Sequence, residues 1–402
     1  MVNQPLQPTY ANNTGAGTAT ASASYDGDAN HTGGSGSKTF AIDKAPSAVT
    51  VTCPDARVYT GSAIEPCTAK ATGAGALDQA IAVSYSSNVG AGTASASASY
   101  AGGANHLPSS GSATFTITKA LSTTTVTCTG APFTYTGTAQ TPCTAKATGA
   151  GGLNANLSVS YVDNVNAGTA TASAAYAGDA NHTASSDSKP FTIGKATPSV
   201  SVSWNGWTYD GAAHAATGSV TGVGGAALGA PTFTYYSGGM ATGTPLAGPP
   251  SGVGPFTVVG AYAGSANYLA ATSQPKTITV IYRWDGFLQP INDTAHQGGL
   301  ESFFKLGSTV PAKFQLKKAD GTVVQAGALP VFSRSNTPVS CDTQLAPEVL
   351  ATDAGFAGST FRWDGSTQYI YNWSTKGLKA GEYRIYATLD DGSKQYVDIC
   401  LQ

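Results

Sequence analysis

Alternation at period two organises this chain. Thr18-Ala-Thr-Ala-Ser-Ala-Ser-Tyr25 and the run from Thr93 to Tyr100 switch strictly between hydroxyl-bearing residues and alanine. That places alanine on one face and Ser or Thr on the other, as in a strand with one side buried. The intervening segments, such as Asn164-Val-Asn-Ala-Gly168 and Gly178-Asp-Ala-Asn181, are turn chemistry, because Gly and Asn tolerate positive φ. No helical period appears in the first 280 residues. The pattern predicts an all-β chain.

The pattern also repeats. Tyr10-ANNTGAGT, Tyr85-SSNVGAGT and Tyr161-VDNVNAGT lie 75 and 76 positions apart. Each is followed by a second signature: Tyr25-DGDANH, Tyr100-AGGANH, Tyr176-AGDANH and the diverged Tyr262-AGSANY. A short apolar strand closes each unit, as in Phe115-Thr-Ile-Thr-Lys119 and Phe191-Thr-Ile-Gly-Lys195. A period near 75 is too long for a solenoid turn and suits a small β-sandwich. Two units open with VTC and then YTG-x-x-x-x-PC, over Val51 to Cys67 and Val126 to Cys143. The first unit has no such opening, so residues 1–45 read as the back half of a repeat that cannot close a sandwich alone. This predicts a chain that is a fragment, has a miscalled start or has been trimmed. The expected organisation is a partial repeat at 1–45, repeats at 46–120 and 121–196, a diverged repeat at 197–280 and a separate module at 281–402.

The YTG opening, the N-x-x-AGT turn and the Y-x-GDANH turn together resemble bacterial immunoglobulin-like repeats of the MBG type. That resemblance covers about residues 1–280 and implies tandem immunoglobulin-like sandwiches in extracellular stalks and adhesins. The fourth unit keeps Tyr209-Asp-Gly and Tyr262-AGSANY but has no cysteines, and Gly238-GMATGTPLAGPPSGVG254 replaces its compact turn.

Past Ile281 the language changes. Val310, Ala312, Phe314 and Leu316 alternate with Pro311, Lys313 and Gln315, and Tyr369, Tyr371 and Trp373 sit two apart. Asp390-Asp-Gly392 lies between two strand-like runs, a strong hairpin signal. With Trp284-DGFLQPI and Pro311-Ala-Lys-Phe314, the stretch 282–402 resembles the PxKF domain of bacterial secreted proteins, which implies a terminal β-sandwich and no reaction.

Charge sharpens the boundary. Residues 281–402 hold 11 Lys and Arg and 12 Asp and Glu, 23 of the 42 charged residues in the chain. A net charge of −2 offers no field to attract nucleic acid. No stretch of about 18 apolar residues exists to span a bilayer as a helix, and the N-terminus lacks the basic and apolar regions of a signal peptide.

The six cysteines form three candidate pairs: Cys53 with Cys67, Cys128 with Cys143, and Cys341 with Cys400. The first two recur at matching repeat positions, which points to disulfides in an oxidising compartment. No Cys-x-x-Cys or neighbouring His pair supports zinc instead.

Candidate chemistry is sparse. His31, His106 and His182 occupy one repeat position, where Tyr268 stands in the fourth unit; a packing role permits that exchange and a metal-ligand role does not. Asp28 and Asp179 are replaced by Gly103 and Ser265, which argues against a calcium ladder. No nucleophile–base arrangement emerges, and no catalytic residue, metal or cofactor is expected. Trp363, Tyr369, Tyr371 and Trp373 form the one candidate ligand surface, since aromatic faces stack on sugars; the competing reading places them in the sandwich core.

The expected protein is a non-enzymatic, monomeric, elongated stalk or adhesin, secreted or at the cell surface, that presents a terminal module. With about 35 Å per unit, the row reaches on the order of 150 Å. Two alternatives stay open. One is a carbohydrate- or receptor-binding protein acting through the C-terminal module on a surface glycan or protein receptor. The other is the accessory tail of a truncated secreted hydrolase. Neither nucleic acid nor a membrane span is expected.

Overall fold

The computed structural model describes residues 3–341, 345–347, 355 and 358–402. The chain is all-β, as its alternation predicts; among the described residues the helical pieces are two three-residue 3₁₀ turns at Ala150–Gly152 and Val223–Gly225. Among the described residues no helix is long and apolar enough to cross a membrane. Contacts divide the chain into two compact units: residues 1–133, 139–164 and 168–193, and residues 134–138, 165–167 and 194–402.

The first unit begins with one antiparallel sheet, β1 (Thr9–Ala11), β2 (Gly17–Asp28) and β3 (His31–Ile42), in the order β1-β2-β3. On its apolar side Ala19 is buried, while Tyr10 and Phe40 are 55% and 43% exposed. Two sheets follow, built from β4 (Ser47–Thr52), β5 (Ala56–Val58), β6 (Thr68–Gly73), β7 (Leu77–Ile81), β8 (Ser84–Ser86), β9 (Gly92–Tyr100) and β10 (Ser109–Thr118). Their orders are β4-β6-β7 and β5-β10-β9-β8. The same seven strands recur as β11 (Ser122–Cys128), β12 (Phe133–Thr134), β13 (Cys143–Gly149), β14 (Leu153–Leu157), β15 (Ser160–Val162), β16 (Gly168–Tyr176) and β17 (Ser185–Gly194). Their orders are again β11-β13-β14 and β12-β17-β16-β15.

The hydroxyl–alanine code resolves as expected. Along β9, Ala94, Ala96 and Ala98 are buried while Thr93, Ser95, Ser97 and Ser99 are exposed. The small faces meet Phe115, Ile117 and Cys67 in a thin core edged by Val51 and Tyr85. All three cysteine pairs are bonded, 14, 15 and 59 residues apart in sequence. In the repeats the bond crosses neighbouring antiparallel strands: Cys128 and Cys143 are register partners at the open end of β11 and β13.

In the second unit, β18 (Ser199–Ser203), β19 (Thr217–Thr221) and β20 (Ala227–Gly229) form one sheet, and β21 (Thr232–Ser237), β22 (Gly254–Tyr262), β23 (Ala271–Thr272) and β24 (Lys276–Val280) the next. Here aromatic residues replace the disulfide: Trp204, Tyr235 and Phe256 fill the core. The last sandwich places β25 (Phe287–Leu288), β27 (Thr309–Phe314), β31 (Tyr369–Ser374) and β30 (Arg362–Trp363) in one sheet, ordered β25-β27-β31-β30. Its other sheet is β28 (Val331–Arg334), β32 (Gly381–Thr388), β33 (Lys394–Leu401), β26 (Glu301–Phe304) and β29 (Leu345–Pro347) in that order. Val310, Ala312 and Phe314 are register partners of Trp373, Tyr371 and Tyr369.

Candidate functional site

The aromatic strand read as a candidate ligand surface lies inside the terminal sandwich. Tyr369, Tyr371 and Trp373 are 0%, 7% and 5% exposed. Tyr371 stacks on Phe332 at 4.0 Å, and the Tyr369 hydroxyl accepts the Ala326 amide at 2.7 Å. A sugar cannot reach those ring faces. The opposite sheet covers them, and alternation alone does not say which face of a strand the second sheet covers. Trp363 is only partly buried, with its ring 5.0 Å from Tyr369. Among the described residues no group of three or more His, Cys, Asp or Glu could hold a metal ion.

The repeat motifs instead converge on two structural devices. The first is internal to each repeat. The Tyr85 hydroxyl accepts the Cys67 amide at 2.8 Å and donates to the Cys67 carbonyl at 3.0 Å. Tyr161 treats Cys143 identically, at 2.9 and 3.0 Å. Three residues later the amide of Asn88 or Asn164 donates to the carbonyl of Ile64 or Gln140. In the cysteine-free fourth unit, Tyr235 accepts the amide of Ala216 at 2.9 Å.

The second device is the joint between successive repeats, and it has three recurring parts. Asn105, Asn181 and Asn267, each just before the His or Tyr of its turn, accept through Oδ1 the amides of Ala16, Ala91 and Ala167 in the preceding AGT turn. These bonds measure 2.8, 2.9 and 2.9 Å. The linker lysines Lys44, Lys119 and Lys195 donate to the carbonyls of Gly103, Asp179 and Ser265 at 2.9, 2.6 and 2.7 Å. The linker alanines Ala45, Ala120 and Ala196 bridge in parallel to His106, His182 and Tyr268. Each linker backbone is therefore hydrogen-bonded into the repeat it leads to, which removes the freedom an ordinary linker keeps.

The tyrosine of the YTG opening completes two of these joints and a fourth contact. Tyr59 meets His182 edge-on at 5.3 Å, Tyr135 meets Tyr268 at 5.4 Å, and Tyr209 meets Tyr282 of the terminal module at 5.8 Å. Gly151, in the left-handed region at φ 65°, is required here because a Cβ would strike the Tyr59 hydroxyl. At the module, the Ala319 amide donates to the Tyr209 carbonyl at 2.8 Å and the Tyr282 amide to Asp391 Oδ2 at 2.9 Å.

His182 is the most heavily bonded member of the joints. Its side chain is almost fully buried; Nδ1 lies 2.9 Å from Asp179 Oδ1 and Nε2 lies 2.9 Å from the Ala150 carbonyl. The Ala150 carbonyl, then Asp179, hold its pKa above the ordinary imidazole value against the opposing effect of burial. Asp179 sits well below the usual carboxylate range, chiefly because the Tyr176 hydroxyl donates to it at 2.8 Å. Asp28 is likewise lowered, to about 2, by the Tyr25 hydroxyl. These carboxylates are engaged as acceptors within their own turns. Sequence reading passed over the asparagines and the linker lysines. A signal existed, because Asn30, Asn105, Asn181 and Asn267 stand in every copy of the turn while the next residue changes from His to Tyr.

No family model matches this chain, and no curated protein matches it. Among solved structures it is similar to a tetra-tandem repeat from the extending region of a large adhesion protein, at 14% identity and TM-score 0.27, over 89% of this chain and 99% of that one. It is also similar to the protocadherin gammaB4 extracellular domain, at 14% identity and TM-score 0.23, over 96% and 72%. A third is the N-terminal eight immunoglobulin domains of Down syndrome cell adhesion molecule, at 10% identity and TM-score 0.20, over 96% and 52%. At such scores these likenesses carry no argument about function.

Proposed function

We propose that this chain is a non-enzymatic extracellular spacer of the adhesin type, in which MBG-like immunoglobulin repeats present a PxKF-like terminal module. The observation that carries the reading is the recurrence of one joint, Asn on AGT turn with Lys-Ala linker, at three places. A protein whose repeats served only as separate binding units would have no use for a linker hydrogen-bonded at each step. Three disulfides support an oxidising, extracellular setting. The outer strand faces carry Ser and Thr where a catalytic cleft would gather ionisable groups.

Small-angle scattering of the whole chain tests the reading. A compact globule of this length has a radius of gyration of about 21 Å; a spacer gives a value at least twice that. A value near the globular one overturns the proposal.

A further inference from the structure

We propose that His182 is a proton-operated lock on the joint between the second and third repeats: protonated, it fixes the seat of Tyr59, and deprotonated, it releases that seat. The inference rests on the fixed-joint reading above.

The geometry demands two protons on the ring. Both nitrogens of His182 face acceptors, the Asp179 carboxylate on one side and the Ala150 carbonyl on the other. A neutral imidazole carries a single N–H, so it can satisfy one of these and must turn a lone pair toward the other. In a side chain this buried, the unmade bond leaves a polar group without the water that would otherwise compensate it.

Internal copies show what is special about this one. His106 has its Nε2 partner in the Ala74 carbonyl at 2.8 Å, but Gly103 stands where Asp179 would be. His31 has its carboxylate partner, Asp28, at 3.0 Å. In the fourth unit Tyr268 takes the position, and its hydroxyl accepts the Val223 amide at 3.1 Å in place of the imidazole's bond to a carbonyl.

The link to the joint is direct. The bond to Ala150 holds the turn Ala150–Gly152, and Gly151 in that turn lies under the Tyr59 hydroxyl while the Tyr59 ring meets the imidazole edge. The ionisable groups around the ring are Asp179 and Tyr176 of its own repeat, Lys119 of the linker, whose Nζ donates to the Asp179 carbonyl, and Tyr59 of the preceding repeat. Among these the imidazole alone has an ordinary value between about 5 and 8. A folded-state value raised above about 6.5 means that the stabilisation is complete below that pH and is lost as pH climbs through the raised value. Asp179, held low, contributes above about pH 3.9 and loses its contribution as pH falls through its depressed value. The joint is therefore tightest between about pH 4 and 6.5.

The test is hydrogen exchange on the whole chain, corrected for intrinsic rate, at the amides of Ala91 and Ala120 in this joint and Ala167 in the Tyr268 joint, with the His182 imidazole titrated by NMR. In the wild type, protection at Ala91 and Ala120 falls as pH rises through the imidazole midpoint, by at most tenfold per pH unit for one proton, while Ala167 stays level. His182→Tyr, the fourth unit's residue, abolishes the fall. Asp179→Gly, the second repeat's residue, lowers the midpoint and the protection at mildly acidic pH together. Level protection at Ala91 across the titration overturns the lock and leaves the fixed joint standing. Absent protection at all three amides at every pH overturns both.

Discussion

The strands β4–β17 and the strands β25–β33 build the same kind of two-sheet sandwich from opposite materials. In the former, the facing side chains are mainly alanine, and the few larger buried ones include Phe115, Ile117, Val126, Phe191 and Ile193. In the latter, Phe287, Phe304, Phe314, Phe361, Tyr369, Tyr383 and Trp373 share one cluster. Hydrophobic stabilisation follows apolar area at about 25 cal/mol per Å², so the alanine sandwiches start from far less. They make it up with cross-strand disulfides, the tyrosine clamp on Cys67 and Cys143, and neighbours on the chain. The terminal module has its own disulfide, Cys341–Cys400, but packs a far larger apolar interior. Composition thus separates a sandwich held mainly by aromatic packing from one held mainly by cross-links and side-chain clamps.

The comparison is broken most severely by emptying the aromatic core. Trp373→Ala removes a ring packed against Phe332 and Tyr383, and is expected to cost about 3–5 kcal/mol. Urea unfolding followed by the fluorescence of the remaining tryptophans measures it. A cost below about 1 kcal/mol would return this strand to the list of ligand surfaces.

Next is the Cys128–Cys143 bond. It closes a loop of 15 residues, worth roughly 3 kcal/mol in the chain-entropy view. Replacing both cysteines with alanine should lower the unfolding free energy of the first unit by that amount and leave the terminal module untouched. Equal loss in both regions would refute the division of labour.

Overpacking comes third. Ala96 is 0% exposed between two sheets brought close by small side chains, so Ala96→Leu is expected to cost about 1–3 kcal/mol. Calorimetry of the full chain resolves it; a neutral outcome would mean that the sheets can separate to admit larger residues.

How far the sequence disclosed these differences depends on the range of each interaction. Period-two alternation is local, so the strands and the buried alanines of β9 were legible at once. The cysteine pairs were legible because duplication places Cys53 and Cys67 over Cys128 and Cys143. The fate of Tyr369, Tyr371 and Trp373 was not, since a sugar-facing strand and a core strand share the same alternation. Only the second sheet, some distance away in sequence, decides between them. The joint asparagines were hidden for the same reason: in a turn, Asn reads as backbone geometry, and the amides it accepts lie 89, 90 and 100 residues earlier.

The smallest expected effect is also the one that separates joint from domain. Asn181→Ala removes one hydrogen bond to the Ala91 amide at a partly buried position, worth about 1 kcal/mol. Because the Asn181 side chain reaches the Ala91 amide while its backbone keeps its bonds to Asp179 and to the linker Ala120, the loss should fall on that one joint contact. Exchange protection at Ala91 is expected to drop by about fivefold, the equivalent of that energy, while the amides of β16 and the unfolding midpoint stay unchanged. Asn181→Asp sharpens the comparison: its carboxylate still accepts from Ala91, so protection persists if hydrogen bonding is the whole role of the residue. Loss of protection with Asp as well would show that the amide group is needed for a further contact at the joint, as Asn267 donates through Nδ2 to Asn166 at 3.0 Å in the following one.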